Sequence, residues 1–319
     1  MILNNTLVTG GAGFIGSHLV EKLLKLDVSV KVIDNLSTGL EKNIEICKKN
    51  EKFQFIQNDF SSDSVRGQFN DVETVFHLAA HSDVRTGFEN PRESFEDVIK
   101  TFQLLENIRN SNTENIIFTS SSVVYGEPKI IPTPENYGPL LPISIYGGVK
   151  LACEGLISAY CKNYGIKGII FRFANVIGSR SRHGVIKDFF DKLKQDPSKL
   201  EILGDGSQIK SYIHVDDCID GILFPLDKTN HDISIFNLGN EDWMDVITIG
   251  KIVCDCLNVN HNVMDTKGGT EDGRGWKGDV KRMKLDINKI KSLDWYPKLN
   301  SKQAVKKTCD EILHLLEEK

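Results

Sequence analysis

No apolar run in this chain is long enough to cross a bilayer, which excludes a helical membrane span. It also lacks blocks of like charge, low-complexity tracts and internal repeats, so basic tails and solenoids are excluded too. The formal net charge is -5, and a surface of that sign repels phosphate backbones and anionic lipid. Neither nucleic acid nor membrane is an expected partner. Cysteine is present without a pattern: the seven at positions 47, 153, 161, 218, 254, 256 and 309 form no pair of pairs. His77, His81, His183 and His214 are equally scattered, so no metal site is expected. Cys254 and Cys256 are the one close pair. Their neighbours Ile252, Val253 and Leu257 favour a packed helix over a redox motif. Reduced thiols predict a cytoplasmic protein, and the early strand-like run predicts no leader peptide.

What is present is an alternation of strand and helix signals in a 319-residue chain, 40% hydrophobic and 26% charged. That length holds one large α/β domain, or a large and a small one. Ile2 to Val8 reads as a strand. Glycines at Gly10, Gly13 and Gly16 follow, with Phe14 and Ile15 between them, and a helical period begins at Ser17. In the order strand, glycine turn, helix, this spacing suits a pyrophosphate. The absent side chains let backbone approach the anion, and the helix N-terminus offers free N–H groups and partial positive charge.

Val28 to Ile33 is a second strand, ending at Asp34. A carboxylate about twenty residues beyond the loop accepts from an adenosine ribose hydroxyl and repels a 2′-phosphate. Since Asn35-Leu36-Ser37-Thr38-Gly39 brings no arginine, NAD is favoured over NADP. Strands are expected at 53–56, ending near Asp59-Phe60, and at 74–78, leading into Ala79-Ala80. A helix over 91–109 and a strand over 115–118 follow. Such repeats predict a Rossmann-type, doubly wound parallel sheet with ligands beyond the carboxyl ends of its strands. A helix carries Tyr146 and Lys150 to about Cys161, then a strand spans 168–171. From residue 176 the pattern loosens, which divides the chain into 1–175 for cofactor, with later segments returning to it, and 176–319 for substrate. Asp216-Asp217 is expected to cap a helix.

Tyr146 and Lys150 lie one turn apart on one helix face. A free tyrosine keeps its proton until about pH 10. A neighbouring cation lowers that value and makes the phenol a usable general base.

Together, T-G-G-A-G-F-I-G, D-N-L-S-T-G, H-L-A-A, S-S-S-V-V-Y-G, Y-x-x-x-K, R-F-A-N-V-I-G and Y-I-H-V-D-D resemble the extended short-chain dehydrogenase/reductases of the NAD-dependent sugar epimerase/dehydratase family. Within it, the resemblance is closest to the UDP-glucose 4-epimerases. It implies Tyr146 as base, Lys150 on the nicotinamide ribose and Ser121 as the hydroxyl assisting the base. Cofactor contacts are implied at the glycine loop, Asp34, Asn35, Ser37, Thr38, Gly39, Asp59, Phe60, Leu78, Ala79, Ala80 and Phe173. For a UDP-sugar it implies Ser122, Asn175, Gly184, Val185, Glu201, Leu203, Lys210 and Tyr212. Met283 is implied at a position limiting sugar size, where a flexible thioether admits an N-acetyl group. Arg274 is the candidate second diphosphate cation, with Lys277 as rival. A homodimer through the 91–109 and 147–161 helices is also implied.

Two departures stand out: Lys210-Ser211 replaces the usual arginine and aspartate, and Asp97 the usual asparagine. Ser121 is followed by Ser122-Val123 with no acid. Related dehydratases and decarboxylases carry acids after this position, so epimerisation is the economical reading. Another nucleotide-sugar enzyme of the fold, or a non-catalytic NAD-binding regulator, is the alternative.

Overall fold

The computed structural model describes residues 3–317 except 82, 83 and 230; Ile2, the expected start of the first strand, lies outside them. The first half of the chain alternates as its periodicity predicts. It runs β1 (Asn5–Thr9), α1 (Phe14–Lys25), β2 (Ser29–Asp34), β3 (Phe53–Gln57), β4 (Thr74–His77), α2 (Val84–Glu89), α3 (Pro91–Arg109), β5 (Asn115–Ser121), α4 (Ile145–Tyr164) and β6 (Lys167–Phe173). The second half holds shorter pieces: β7 (Asn175–Ile177), α5 (Val185–Gln195), β8 (Leu200–Leu203), β9 (Ile209–Lys210), β10 (Tyr212–His214) and α6 (Val215–Leu223). Then come β11 (Ile233–Leu238), β12 (Met244–Asp245), α7 (Val246–Cys256), β13 (Met264–Lys267), β14 (Arg282–Met283), α8 (Asn288–Lys291) and α9 (Ser301–Glu317).

Seven strands form one sheet in the order β11-β6-β5-β4-β1-β2-β3, every pair parallel. Strands buried on both faces must be apolar on both, and these are. Leu7, Ile116 and Ile170 face one core, with Leu104, Leu105 and Ile157 of α3 and α4. Their neighbours Val8, Ile117 and Ile169 face the other, with Leu19 of α1 and Ile219 of α6. A third core joins α5, α7, α9 and β8. Winding reverses between β1 and β4, which opens a crevice at their carboxyl ends. The late strand β11 joins the main sheet beside β6.

Local signals account for the helix ends. The Ser144 hydroxyl accepts from the Gly147 N–H at 3.1 Å to start α4. Gly165, at φ 72°, ends it three residues later than the sequence period suggests. The cap of α6 differs from expectation: His214 Nδ1 accepts from the Asp216 N–H at 3.2 Å. Strand β10 delivers His214 to the capping position. The Asp217 carboxylate instead accepts from the Lys298 and Leu299 N–H groups, at 3.0 Å each. Among the described residues no helix is long and apolar enough to cross a membrane.

Candidate active site

The glycine turn lies between β1 and α1. Gly10 has φ +73°, and a Cβ there would stand 2.7 Å from the Ala79 nitrogen at the end of β4. A Cβ on Gly16 would collide with the Gly10 carbonyl. Helix α1 begins with no side-chain cap and no acid in its first turn, so its N–H groups and partial positive charge are left for an anion. Asp34 ends β2, buried, with one oxygen accepting from Ala12 N–H at 2.9 Å and the other from Leu36 N–H at 2.8 Å. Burial pushes its carboxyl up, against these two bonds. Each oxygen keeps a lone pair for a ribose hydroxyl. Beside it lie Asn35, whose amide donates to Asp59 at 3.3 Å, and the half-buried Phe60. Ser37 N–H donates to the Asn35 side chain at 3.0 Å, and a Cβ on Gly39 would stand 3.0 Å from the Asp34 carboxylate. These residues fit a dinucleotide.

Tyr146 and Lys150 ride on the face of α4 turned to β5. Ser121 closes β5, its hydroxyl accepting from the Val123 N–H at 3.4 Å. Lys150 is buried, its Nζ donating to the Thr119 carbonyl at 2.8 Å. That Nζ stands 4.7 Å from the centre of the Phe118 ring and 5.8 Å from that of Tyr146. The expected cation-lowered phenol is not what the structure shows. Burial, followed by the Asp97 carboxylate, pushes Tyr146 above the ordinary tyrosine range, and only the Ser121 hydroxyl opposes this. Burial also pushes the Lys150 ammonium down, while Cys153, Asp97 and Glu154 draw it back up.

The three serines before V-V-Y-G have separate jobs. Ser120 donates to Glu154 Oε1 at 2.5 Å, within a buried ion pair whose Arg172 Nη2 lies 2.7 Å from Glu154. Ser122 is buried in the turn after β5, and Tyr125 donates to Asn237 at 2.8 Å.

The structure brings the two expected diphosphate cations to one residue. Lys210 Nζ lies 2.5 Å from Asp279 Oδ1, and Arg274 Nη1 lies 2.6 Å from the Asp279 carbonyl. Arg274 also holds Glu127 and Asp272, at 2.5 and 2.6 Å. Lys277 instead stands 5.1 Å above the Phe88 ring. Gly184 precedes α5, with Val185 its first residue. The Asn175 amide donates to the Ser211 carbonyl at 3.1 Å. The Glu201 and Leu203 carbonyls accept from Lys192 and Gln208, at 2.9 and 3.1 Å. Tyr212 is buried in the core of α5, α7 and α9, while Met283 and Phe173 share the core of α1 and α6.

Some partners were invisible in the sequence. Lys100 grips Asp59 at 2.8 Å across 41 positions. Arg182 donates to the Thr38 carbonyl at 3.0 Å, tying the 178–184 loop to the 35–39 loop. Asp97 accepts from both N–H groups of His81. A cluster of His214, Asp216 and Glu311 has ligand-like spacing, but Lys307 already stands 2.5 Å from Asp216.

Comparison with known proteins agrees with this cleft. The model of the NAD dependent epimerase/dehydratase family matches residues 6–239, and the chain belongs to that family. It is an NAD-dependent enzyme of the nucleotide-sugar epimerase/dehydratase class, on a Rossmann-type fold. It is 36% identical over 312 residues to the Methanocaldococcus jannaschii "Putative UDP-glucose 4-epimerase", covering 95% of this chain and 97% of that one. It is 30% identical over 309 residues to UDP-glucuronic acid decarboxylase 2 of Arabidopsis thaliana, covering 94% and 66%. Among solved structures, the UDP-glucuronic acid 4-epimerase of Bacillus cereus, in complex with UDP-glucuronic acid and NAD, superposes with a TM-score of 0.88. Its identity is 30%, over 98% of this chain and 99% of that one.

Proposed function

We propose that this protein is a UDP-sugar 4-epimerase that interconverts UDP-glucose and UDP-galactose through a transient 4-keto sugar. The observation that carries the reading is Ser121 closing β5 beside the helix of Tyr146 and Lys150, whose Nζ donates to the Thr119 carbonyl of that strand, with Ser122-Val123 and no acid directly after it. Tyr146, relayed by Ser121, takes and returns the proton of the sugar hydroxyl. Lys150 supports the cofactor ribose, and bound NAD accepts the hydride and gives it back. A dehydratase or decarboxylase needs a further carboxyl free to act. Glu154, the acid that α4 carries, is held by Arg172 and Ser120. Lys210 and Arg274 take the diphosphate, giving up Asp279 and Glu127 as partners. The uridine lies against β8 near Glu201 and Leu203.

The division of labour follows the chain: residues 1–175 hold the cofactor and 176–319 the nucleotide sugar. The second copy of a homodimer covers Phe95, Ile99 and Phe102, which project from one face of α3 at 55%, 47% and 46% exposure. The seven unpaired thiols suit a reducing cytoplasm.

The test is incubation of NAD-loaded protein with UDP-glucose, UDP-galactose and their N-acetyl analogues, products being resolved by chromatography. Interconversion without net reduced nicotinamide supports the reading. Loss of water or carbon dioxide from any UDP-sugar, or accumulation of reduced nicotinamide, rejects it. No turnover of the N-acetyl pair rejects the permissive role expected of Met283.

A further inference from the structure

Residues 178–184 join β7 to α5, so they lie between Asn175 and Val185, two positions expected to meet the nucleotide sugar. The loop carries two arginines, and both reach across to the first half of the chain. Arg180 Nη1 donates to the Ser17 hydroxyl at 3.1 Å and to the Asn43 carbonyl at 3.3 Å, while its Nη2 lies 2.5 Å from Glu21 Oε1. Ser17 and Glu21 lie on α1, just past the glycine turn, and Asn43 on the short helix Glu41–Lys49. Arg182 Nη1 donates to the Thr38 carbonyl at 3.0 Å. On the other side, the Ser179 N–H donates to Glu311 of α9 at 2.9 Å.

These anchors lead to the cofactor cleft through direct hydrogen bonds. The Asn43 amide and the Leu40 N–H both donate to the Ala12 carbonyl of the glycine turn, at 2.9 and 3.0 Å. Ala12 N–H in turn donates to the Asp34 carboxylate at 2.9 Å. Thr38 precedes Gly39, where a Cβ would stand 3.0 Å from that same carboxylate. Arg180 itself is held at φ +68°. A non-glycine residue keeps such a backbone only where its surroundings enforce it, and here the guanidinium is fastened to α1 and Asn43.

We propose that Arg180 and Arg182 make 178–184 a strap between the two binding events, so that a nucleotide diphosphate held at the start of α5 also slows release of the dinucleotide. The strap rests on the reading above, in which residues 1–175 hold the cofactor and the start of α5 meets the nucleotide sugar. Both arginines act through groups of the cofactor loops and are positioning residues. Linkage makes the effect reciprocal: bound dinucleotide tightens UDP by the same factor as UDP tightens the dinucleotide. An enzyme that lends a hydride and takes it back has a use for this coupling, because a dinucleotide lost in mid-turnover strands the keto sugar.

The experiment follows exchange of bound NAD for labelled NAD, with and without saturating UDP, at a temperature where the wild-type protein exchanges within hours. Calorimetry on the NAD-loaded protein measures UDP binding itself. UDP is expected to slow wild-type exchange at least about fivefold, the lower end of ordinary coupling. Arg182→Met and Arg180→Asn should each bring that ratio toward one; asparagine is chosen because it tolerates positive φ. A merely structural arginine would instead speed exchange equally in both conditions and leave the ratio unchanged. If Arg180→Asn does not fold, Arg182→Met, which alters an exposed side chain, must still lower the ratio. A wild-type ratio of one with UDP bound, or a ratio that neither variant lowers, overturns the strap. UDP that fails to bind the NAD-loaded protein overturns the nucleotide-sugar reading instead, so the two failures are distinguishable.

Discussion

Glu154→Gln separates a structural carboxylate from a catalytic one. Glu154 and Arg172 are 5% and 4% exposed at their side chains, and 2.7 Å apart. The Arg172 guanidinium also lies 4.7 Å from the centre of the Tyr125 ring. Truncating one partner of such a buried pair leaves an uncompensated charge, which costs about 3–5 kcal/mol. Glutamine keeps one oxygen for Ser120 or Arg172, so the lower end applies, about 3 kcal/mol. That is a factor of roughly 140 in the folding equilibrium. Typical stabilities of about 5–15 kcal/mol leave the variant folded at room temperature. The assay is guanidinium denaturation followed by far-ultraviolet circular dichroism, with NAD at one fixed concentration because ligand binding itself stabilises. The expected result is a clearly lower midpoint with kcat within a few-fold of wild type. The double change Glu154→Leu, Arg172→Met should recover much of the loss, since apolar packing replaces a buried pair at little cost. An unchanged midpoint with abolished turnover would refute the reasoning, because Glu154 would then be acting on substrate.

Other perturbations test other parts of the cleft. Tyr146→Phe should leave NAD bound and lower kcat by at least about 100-fold, the scale of general base catalysis; chromatography of released nucleotide and product assays measure the two effects separately. Gly16→Ala drives a Cβ into the Gly10 carbonyl, so NAD content after purification should fall sharply while the fold, read by circular dichroism, persists. For His214, burial lowers the imidazole but its bonds to Asp216 and Glu311 win, leaving its value raised. A raised folded-state value means the stabilisation is complete below the unfolded value of about 6.5 and fades as pH climbs through the folded one. The melting-temperature gap between wild type and His214→Gln should therefore narrow from pH 6 to pH 9; a gap that widens contradicts the assignment.

The sheet was legible in the sequence because both faces of its strands are apolar and the crossovers between them are helical in period. Pro91 at the first turn of α3 marked a helix start and serves there. The irregular second half was less readable. Strands such as β9, β12 and β14 are two residues long and show no period; they exist by pairing with one another. The serine run illustrates a finer limit. Ser120, Ser121 and Ser122 are chemically alike, and only their position at the end of β5 sends one to Glu154, one to the Val123 N–H and one into the core. Long-range charge partners were hidden for a similar reason. Nothing near Asp59 in sequence announces Lys100, and nothing near Asp97 announces His81.

The four-residue spacing of Tyr146 and Lys150 predicted their shared face correctly and their electrostatics incorrectly. Spacing places two side chains on a helix but does not say where a long flexible one ends. Lys150 spends its donor on the Thr119 carbonyl and lies nearer the Phe118 ring than the Tyr146 ring. Burial that weakens its ammonium also raises the phenol, and Asp97 adds to that second effect. A phenol in this environment becomes a base only when positive charge is added beside it. Tyr146 should therefore titrate at lower pH in the presence of NAD, whose oxidised nicotinamide is cationic, than in its absence. The ultraviolet phenolate band, taken as the difference from Tyr146→Phe and recorded on protein stripped of nucleotide and then reloaded, measures this. Equal midpoints in the two states would mean that the protein alone sets the basicity of Tyr146, and that Ser121 outweighs both burial and Asp97.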